Sequence, residues 1–391
     1  MNVQISSSLR RALAVALTSL GVLAACGGGV SEQGTGDTPQ VFATGPISGF
    51  GSVIVNGVRY DDSQATPVDE DGVRLSSGLL LGMLVQIEGE NLDRNATPLP
   101  TAKAKTITVY SELLGRVEAR DDVAGTLTIL GQTVSIVPTP ATDRPVAVGD
   151  LVEVYGLHDE ARQRYTATRI QHRAGVSALR LHGKVGSLGS DSFTVGGATI
   201  RYSSPPDGLA VGAVLSLKLD TAPVAAGTWT LQSGKTIAPK VPADGTEVEV
   251  EGVIASYTSP SSMVVQGIPV DASGARLEGG TTLAAGMTIE AEGVMRGGVL
   301  RASKVEIKKA DDDDGSQEPT EVEITSTISS VDSANKTLVL SKGSQKVDYS
   351  AARLRDGLQA SQLVSGLRIE VKGVLSDDGT TVLASEIKRD D

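Results

Sequence analysis

Cysteine, histidine and aromatic residues are scarce in this chain of 391 residues. It contains one cysteine, three histidines and eleven aromatic residues. A single cysteine excludes a disulfide framework, and it also excludes structural zinc sites that are built from several thiolates. The residues that usually serve as nucleophiles, acid–base catalysts or metal ligands are therefore few. The sequence predicts no catalytic, cofactor-binding or metal-binding residues, and no cofactor.

Aliphatic residues, glycine and acidic residues are abundant instead. Apolar residues make up 40% of the chain, glycine occurs 45 times, and the formal net charge is −12. This composition is typical of a globular protein with cores of valine, leucine, isoleucine and alanine. Nucleic-acid binding needs a basic groove and aromatic stacking platforms, so the acidic charge and the few aromatics argue against a nucleic-acid partner.

The first 25 residues have the three parts of a secretory signal peptide. Residues 10 and 11 are arginines, residues 12–22 form an uncharged apolar stretch, and Leu23-Ala24-Ala25 is a small-residue cleavage site. The apolar stretch is too short for a helix that crosses a bilayer, which takes about 20 residues. The sequence therefore predicts a cleaved signal peptide over residues 1–25, with Leu23, Ala24 and Ala25 recognised by the signal peptidase.

Leu23-Ala24-Ala25-Cys26 resembles the lipobox of bacterial lipoproteins. In those proteins the cysteine takes a diacylglyceryl group and the new amine is acylated, for example with palmitate. The resemblance implies lipidation of Cys26 and a membrane partner reached through the N-terminal lipid; the alternative is an ordinary secretory signal with an incidental cysteine. Gly27 rather than aspartate follows Cys26, which favours the outer membrane if the organism is Gram-negative. Residues 26–44 begin with a Gly/Ser-rich run and are predicted to be a flexible tether.

The rest of the chain repeats one unit five times. The clearest phrase is apolar-Gly-x-x-apolar-x-apolar-x-Gly, which begins at Leu81, Val148, Ala285 and Ser365 and, without its closing glycine, at Val211. The lead glycines of these phrases are 67, 63, 74 and 80 residues apart. An internal period of this size predicts an array of similar modules.

Each copy alternates apolar and polar residues, and turn sequences such as Asn56-Gly57 and Asp378-Gly379 interrupt the alternation. This pattern predicts short, half-buried strands. Five or six such strands in about 70 residues favour a small closed barrel of the oligonucleotide-binding (OB) shape. The alternative is a small sandwich in which neighbouring copies share a sheet. The predicted fold class is thus all-β, a tandem array of about five OB-like barrel modules.

The predicted boundaries follow the order of the phrases. They are residues 1–25 for the signal peptide, 26–44 for the lipidated tether, 45–112 for module 1, 113–175 for module 2, 176–240 for the divergent module 3, 241–309 for module 4, 310–320 for an acidic linker and 321–391 for module 5.

Residues 45–58, Gly-Pro-Ile-Ser-Gly-Phe-Gly-Ser-Val-Ile-Val-Asn-Gly-Val, resemble the opening of a bacterial family, domain of unknown function 5666. Residues 81–89 resemble the second hallmark of that family. The resemblance is strongest in module 1 and weakest in module 3. It implies secreted or lipid-anchored envelope proteins with repeated β modules, and it implies no known reaction.

Several polar groups are candidate sites, and each has a simpler interpretation. His158, His172 and His182 lack metal-ligand spacing, so we expect surface histidines. The run Asp311–Asp314 lacks the spacing of a calcium loop and is interpreted as a solvated linker, and Asp69-Glu70-Asp71-Gly72 is interpreted as a turn.

These observations favour a non-enzymatic, lipid-anchored protein of the bacterial cell envelope. Its modules would act as an interaction or spacer array with an unknown protein or glycan partner. The alternatives are a protein that binds a small ligand or cation, and an enzyme that acts on glycan.

Overall fold

The repeated phrases of the sequence correspond to five β-barrels. A computed structural model describes residues 40–75, 78–160, 162–308, 320–343 and 345–390. Module 1 contains β1 (Gln40–Phe50), β2 (Val53–Val55), β3 (Val58–Asp61), β4 (Val68–Asp69), β5 (Leu84–Asp93) and β6 (Thr101–Tyr110). Module 2 contains β7 (Leu113–Asp121), β8 (Thr126–Ile129), β9 (Gln132–Ser135), β10 (Ala141–Thr142), β11 (Leu151–Asp159) and β12 (Arg164–His172).

The later modules repeat this succession. Module 3 contains β13 (Leu179–Leu188), β14 (Ser192–Val195), β15 (Ala198–Arg201), β16 (Val214–Leu219) and β17 (Thr228–Thr236). Module 4 contains β18 (Glu247–Ser259), β19 (Ser262–Val265), β20 (Ile268–Asp271), β21 (Arg276–Glu278), β22 (Thr288–Arg296) and β23 (Val299–Ile307). Module 5 contains β24 (Glu321–Asp332), β25 (Thr337–Leu340), β26 (Lys346–Asp348), β27 (Arg353–Leu354), a 3-10 helix (Ala360–Gln362), β28 (Arg368–Leu375) and β29 (Thr381–Arg389). No helix within these described ranges is long and apolar enough to span a membrane.

Strand pairing closes each module into a barrel. In module 1, β1 pairs antiparallel with β2 and β5, β2 with β3, and β5 with β6, while β3 runs parallel to β6. The strands therefore close in the order β1-β2-β3-β6-β5-β1. Modules 2 to 5 have the equivalent pairings, including the divergent module 3. The all-β fold with small OB-like barrels in tandem is confirmed.

Two glycines of the repeat phrase have distinct structural roles. The lead glycine precedes the strand in a left-handed turn, with φ of +78° at Gly82 and +83° at Gly286. The closing glycine lies where two strands change register, and a Cβ at Gly89 would lie only 2.3 Å from the Lys103 carbonyl oxygen. A residue with a side chain is therefore disfavoured at the lead glycines, because glycine adopts this left-handed conformation most readily.

The modules also pair with one another. The first half of β1 runs parallel to β18 of module 4, with Val41 opposite Glu247, and its end runs parallel to β24 of module 5. In addition, β7 of module 2 pairs antiparallel with β13 of module 3. Separate barrels are therefore joined by strand pairing, both between neighbours in sequence (modules 2 and 3) and between distant modules (module 1 with modules 4 and 5).

The first strand begins earlier than the expected module boundary at residue 45. Residues 40–44 were predicted to belong to the tether, but they form the start of β1 and pair with both β5 and β18. Val41, Phe42 and Ala43 are buried there. Burial of this apolar run explains why the strand extends into the predicted tether.

The hydrophobic cores cross module boundaries. One cluster joins module 1 to module 5, with a few residues of modules 2 and 4, and includes Phe50 and Ile324. A second joins module 2 to module 3 and includes Leu113 and Leu181. The third is the core of module 4, to which module 1 contributes Phe42.

Candidate functional site

The predicted lipidation site precedes the part of the chain that the structure describes. Leu23, Ala24, Ala25 and Cys26 all lie before residue 40, and Asp311–Asp314 falls between residues 308 and 320. These predictions are therefore outside the described residues. Within the described residues, charged side chains converge where the modules meet.

A turn of module 1 reaches into module 3. Asp69 stabilises this turn, because its Oδ1 accepts hydrogen bonds from the backbone N–H groups of Asp71 and Val73 at 3.0 and 2.8 Å. The turn predicted over residues 69–72 is confirmed. It places Glu70 and Asp71 against strands of module 3, a contact for which the local sequence contains no signal.

Glu70 contacts two buried groups of module 3. His182 Nε2 lies 2.9 Å from Glu70 Oε2, and the Ser216 hydroxyl donates to Glu70 Oε1 at 3.0 Å. His182 is 4% exposed and Ser216 is 6% exposed. Burial alone would raise the pKa of Glu70, but the hydrogen bond and charge of His182, together with Arg180, lower it. Glu70 is thus an anion that connects module 1 to module 3.

Asp71 forms the more exposed half of the same contact. Lys218 Nζ and Lys235 Nζ each lie 2.8 Å from its carboxylate oxygens. Hydrogen bonds from Lys218 and Lys235 lower the pKa of Asp71 to about 2. The turn therefore brings two carboxylates to a cationic face of module 3, and this electrostatic complementarity fixes the position of the turn.

His182 has serine and carboxylate neighbours, as in a hydrolase triad, but their arrangement differs. In a triad the serine contacts one ring nitrogen and the carboxylate contacts the other. Here Ser216 Oγ, at 3.0 Å, contacts the same Nε2 as Glu70 does, while Glu112 Oε2 lies 3.8 Å from Nδ1. Ser216 also donates its proton to Glu70. This geometry suits a structural connection and does not activate a nucleophile.

A cavity of about 310 Å³ adjoins this cluster, where modules 1, 2, 3 and 4 meet. Burial raises the pKa of Glu112 and lowers the pKa of His158, so both groups favour their neutral forms. Carboxyl and imidazole groups can both donate and accept hydrogen bonds with a polar ligand. The ionisable side chains that line the cavity are Tyr110, Glu112, His158, Glu160, His182 and Lys240.

A second ionic cluster joins modules 1 and 4. Arg94, in the loop between β5 and β6, lies 2.8 Å from Glu247, 3.2 Å from Glu249 and 2.6 Å from Glu292. Burial raises the pKa of Glu249 to about 8, and burial raises that of Glu251 to about 7. One cation from module 1 therefore stabilises an acidic face of module 4.

The prediction of surface histidines is wrong for His172 and His182, and His158 is only partly exposed. His158 is half-buried and stacks on Tyr165 with ring centroids 4.5 Å apart, and His172 contacts Asp143 at 2.9 Å with its side chain 8% exposed. His182 is buried against Glu70. Neighbouring strands or modules cover these side chains, which a local pattern does not reveal. Among the described residues, no three His, Cys, Asp or Glu side chains are grouped to hold a metal ion.

These features define a class of protein: tandem small β-barrels connected by strand pairing, shared cores and interfacial ion pairs. The repeats match a known family. Residues 115–171, 251–306 and 325–388 match the family described as "Domain of unknown function (DUF5666)". The matched segments lie in modules 2, 4 and 5, so the resemblance of the repeats to this family is confirmed. Modules 1 and 3 lie outside the matched residues, so the expectation that the resemblance is strongest in module 1 is not met, although the barrels of both modules have the same topology.

No curated protein matches the chain. Among solved structures, a chain described as "drosophila Unr CSD456" is similar, with 17% sequence identity and a TM-score of 0.15. The match covers 41% of this chain and 79% of that chain. A TM-score this low carries no argument about fold or function.

Proposed function

We propose that this protein is a non-enzymatic, lipid-anchored protein of the bacterial cell envelope, and that its barrels form an array of interaction surfaces. The observation that carries the proposal is the pairing between modules, in which β1 of module 1 joins β18 of module 4 and β24 of module 5. Backbone pairing fixes the barrels that it joins. Their outer faces then form a composite surface suited to a protein or glycan partner.

The interaction form of the proposal is better supported than the spacer form. In a spacer, each module adds reach because it contacts only its neighbours in sequence. Here module 1 shares a core with module 5 and contributes Phe42 to the core of module 4. Such contacts between distant repeats do not increase reach, so we favour recognition over spacing.

The anchor in this proposal is Cys26, because the Leu-Ala-Ala-Cys sequence places it directly after the apolar stretch. Acyl chains gain about 0.8 kcal/mol for each buried CH₂ group, so several chains would hold the mature protein on a membrane. The glycine after Cys26 favours the outer membrane in a Gram-negative organism.

The anchor is tested by Cys26→Ser with Ser31→Ala as a control in the same segment. Cells are labelled with an alkyne analogue of palmitate, and the membrane and soluble fractions are compared. We expect the wild type and Ser31→Ala to carry the label and to be recovered in the membrane fraction. We expect Cys26→Ser to carry no label, and no signal-free form of it to be recovered in the membrane fraction. A labelled, signal-free Cys26→Ser protein in the membrane would contradict the proposal.

Binding of a small ligand is the second candidate function, and the cavity beside Glu112 and His158 favours it. An alanine scan of the Asp, Glu and His residues, with partner capture from the envelope as the readout, distinguishes ligand binding from an interaction array. In an array, partner binding falls gradually as modules are removed, or is lost when one particular module is removed. A single substitution that abolishes function in a folded, anchored protein would instead favour a ligand site or the glycan-acting enzyme.

A further inference from the structure

A second cavity, of about 560 Å³, lies where modules 1, 2 and 5 meet. Its charged lining residues are Arg144, Arg169 and Lys346, against the single carboxylate of Asp143. That carboxylate already accepts hydrogen bonds from the His172 ring and backbone, at 2.9 and 3.1 Å. The lining thus carries three cations against one carboxylate, in a protein whose net charge is −12, although Arg144 also lies 3.3 Å from Asp150. Neutral polar groups complete the lining, namely Thr142, Gln171, Gln345, Thr380 and Thr381.

Arg169 is the most buried of these cations, with 5% of its surface exposed. Its Nη1 donates to the Leu81 carbonyl oxygen at 3.0 Å, which connects it to module 1. Its Nε is buried without a hydrogen-bond acceptor, and the nearby Gln171 Oε1 is buried without a donor. Two buried polar atoms of β12, both on side chains that line this cavity, thus have no hydrogen-bond partner.

Arg169 also differs from the other buried acidic and basic side chains of the described residues. Each of the others lies within ion-pair distance of an ionisable group of the opposite type: Glu153 with Arg173, Asp159 with Arg162, His182 with Glu70, Glu249 with Arg94, and Glu370 with Lys388. Arg169 has no such partner within 4.0 Å in the described part of the chain. An unpaired buried cation is costly, because desolvation is not offset by a counter-charge.

Burial lowers the pKa of Arg169 to about 10, although Tyr155 and the Asp143 carboxylate oppose the shift. The planar fork of an arginine matches two oxygens of a carboxylate or a phosphate. A cavity of this volume is also within the range of small-molecule sites.

We propose that this cavity binds a small anionic ligand that carries a carboxylate or phosphate group, with Arg169 as its principal ion-pair partner. Arg144, Lys346 and the surrounding amide and hydroxyl groups would contact the rest of the ligand. This site goes beyond the proposed envelope function and is independent of the lipid anchor, so either can fail without the other.

The test is calorimetric titration of the purified full chain at constant ionic strength. The probes are sodium phosphate, sodium glucuronate and, as the reference anion, sodium chloride. We expect saturable binding of phosphate or glucuronate, and none of chloride. Binding of phosphate alone assigns a phosphoryl ligand, and binding of glucuronate alone assigns a carboxylate ligand.

Arg169→Gln removes the charge of this side chain. We expect the affinity for the anion to fall roughly tenfold or more, because the loss of a hydrogen bond to a charged group typically has an effect of this size. Arg201→Gln is the matched control, since Arg201 is exposed in module 3 and pairs with Asp191. It should bind as the wild type does. If Arg169→Gln does not fold, the double variant Arg144→Gln/Lys346→Gln replaces it in the test, and the proposal then requires this variant to bind the anion more weakly than the wild type does. Absence of anion-specific binding by the wild type, or unchanged binding by the folded cavity variant, would overturn the proposal.

Discussion

The closing glycine of the repeat phrase lies where two strands approach at backbone contact distance. A Cβ at Gly293 would lie 2.1 Å from the Arg301 carbonyl oxygen, and one at Gly373 would lie 2.2 Å from that of Leu383. Both glycines are at a register shift between antiparallel strands. A backbone oxygen cannot rotate away as a side chain can, so the close approach itself requires glycine.

Gly293→Ala should therefore destabilise the protein by about 1–3 kcal/mol, as overpacking of a tight contact does. Gly274→Ala is the matched control in the same module, because a Cβ added there would meet no atom within 4 Å beyond its chain neighbours. It should change the stability by less than about 0.5 kcal/mol. Urea unfolding followed by circular dichroism measures both variants. Equal losses of stability would refute the requirement for glycine at this close approach.

Burial of Glu249 makes the stability depend on pH. Burial raises the pKa of this carboxyl from 4.5 to about 8, although Arg94 opposes the shift. Above pH 4.5 the unfolded chain loses the proton, whereas the folded protein retains it up to about pH 8. Unfolding in this range releases a proton, so the contribution of Glu249 to stability falls as the pH rises.

Glu249→Gln keeps the shape of the side chain and removes its titration. We expect this variant to be more stable than the wild type at pH 8, by on the order of 1 kcal/mol or more, and the difference to shrink towards pH 5. Glu278→Gln, at a half-buried position paired with Arg276, is the control. Thermal unfolding across this pH range provides the measurement. A Glu249→Gln profile parallel to that of the wild type would show that Glu249 titrates normally.

Among the structural elements, the turn at residues 69–72 has an effect beyond its own module. Its sequence predicts a turn, and the structure adds that Glu70 and Asp71 contact β13, β16 and β17 of module 3. The position of module 3 against module 1 therefore depends on a short acidic loop. This contact links a local sequence feature to the arrangement of two barrels.

Removal of both carboxylates, in Glu70→Ala/Asp71→Ala, should loosen module 3. We expect amide hydrogen exchange in β13 and β16 to accelerate about tenfold or more, because charged hydrogen bonds contribute about 1.5–3 kcal/mol each. Exchange in β19 and β20 of module 4 should not change. The control is the double change Asp121→Ala/Asp122→Ala, at the exposed end of β7 and the turn that follows it. If this control accelerated exchange in β13 and β16 to the same extent, a specific contact would be refuted.

The elements themselves were predictable from the sequence, but their contacts between modules were not. Asn56-Gly57 identifies its hairpin because both residues adopt a positive φ, which is a local property. Phe42 packs in the core of module 4, and Arg169 lines a cavity beside module 5. Such placements depend on which outer faces meet across distant parts of the chain. The alternation of apolar and polar residues along a strand distinguishes the side chains that point into a barrel from those that point out. It contains no information on which other module packs against the outer face.

For the whole molecule, the shared cores determine how independent the modules are. Repeats with separate strand sets predict that one module can be removed while the others remain folded. The observed cores argue against this, because modules 1 and 5 form one cluster with a few residues of modules 2 and 4, modules 2 and 3 form another, and module 4 encloses Phe42. Stability is therefore a property of groups of modules.

Deletion of residues 248–309 should lower the melting temperature of the remaining modules. It removes the strand paired with β1 and the core around Phe42, which is 3% exposed in the intact protein. Phe42→Ala is a milder version of the same change and should cost about 3–5 kcal/mol. Scanning calorimetry measures both. Unchanged melting of the remaining modules would restore the view that each repeat is independent.

The position of β1 also has a mechanical consequence. Between Gln40 and Pro46 this strand is hydrogen-bonded to β5, and from Val41 to Thr44 it is also bonded to β18. A pull applied at its N-terminal end along the strand direction loads these rows of hydrogen bonds in shear. The bonds must then yield together rather than one after another. The first strand of the described residues is thus held against such a pull by backbone pairing on both of its edges.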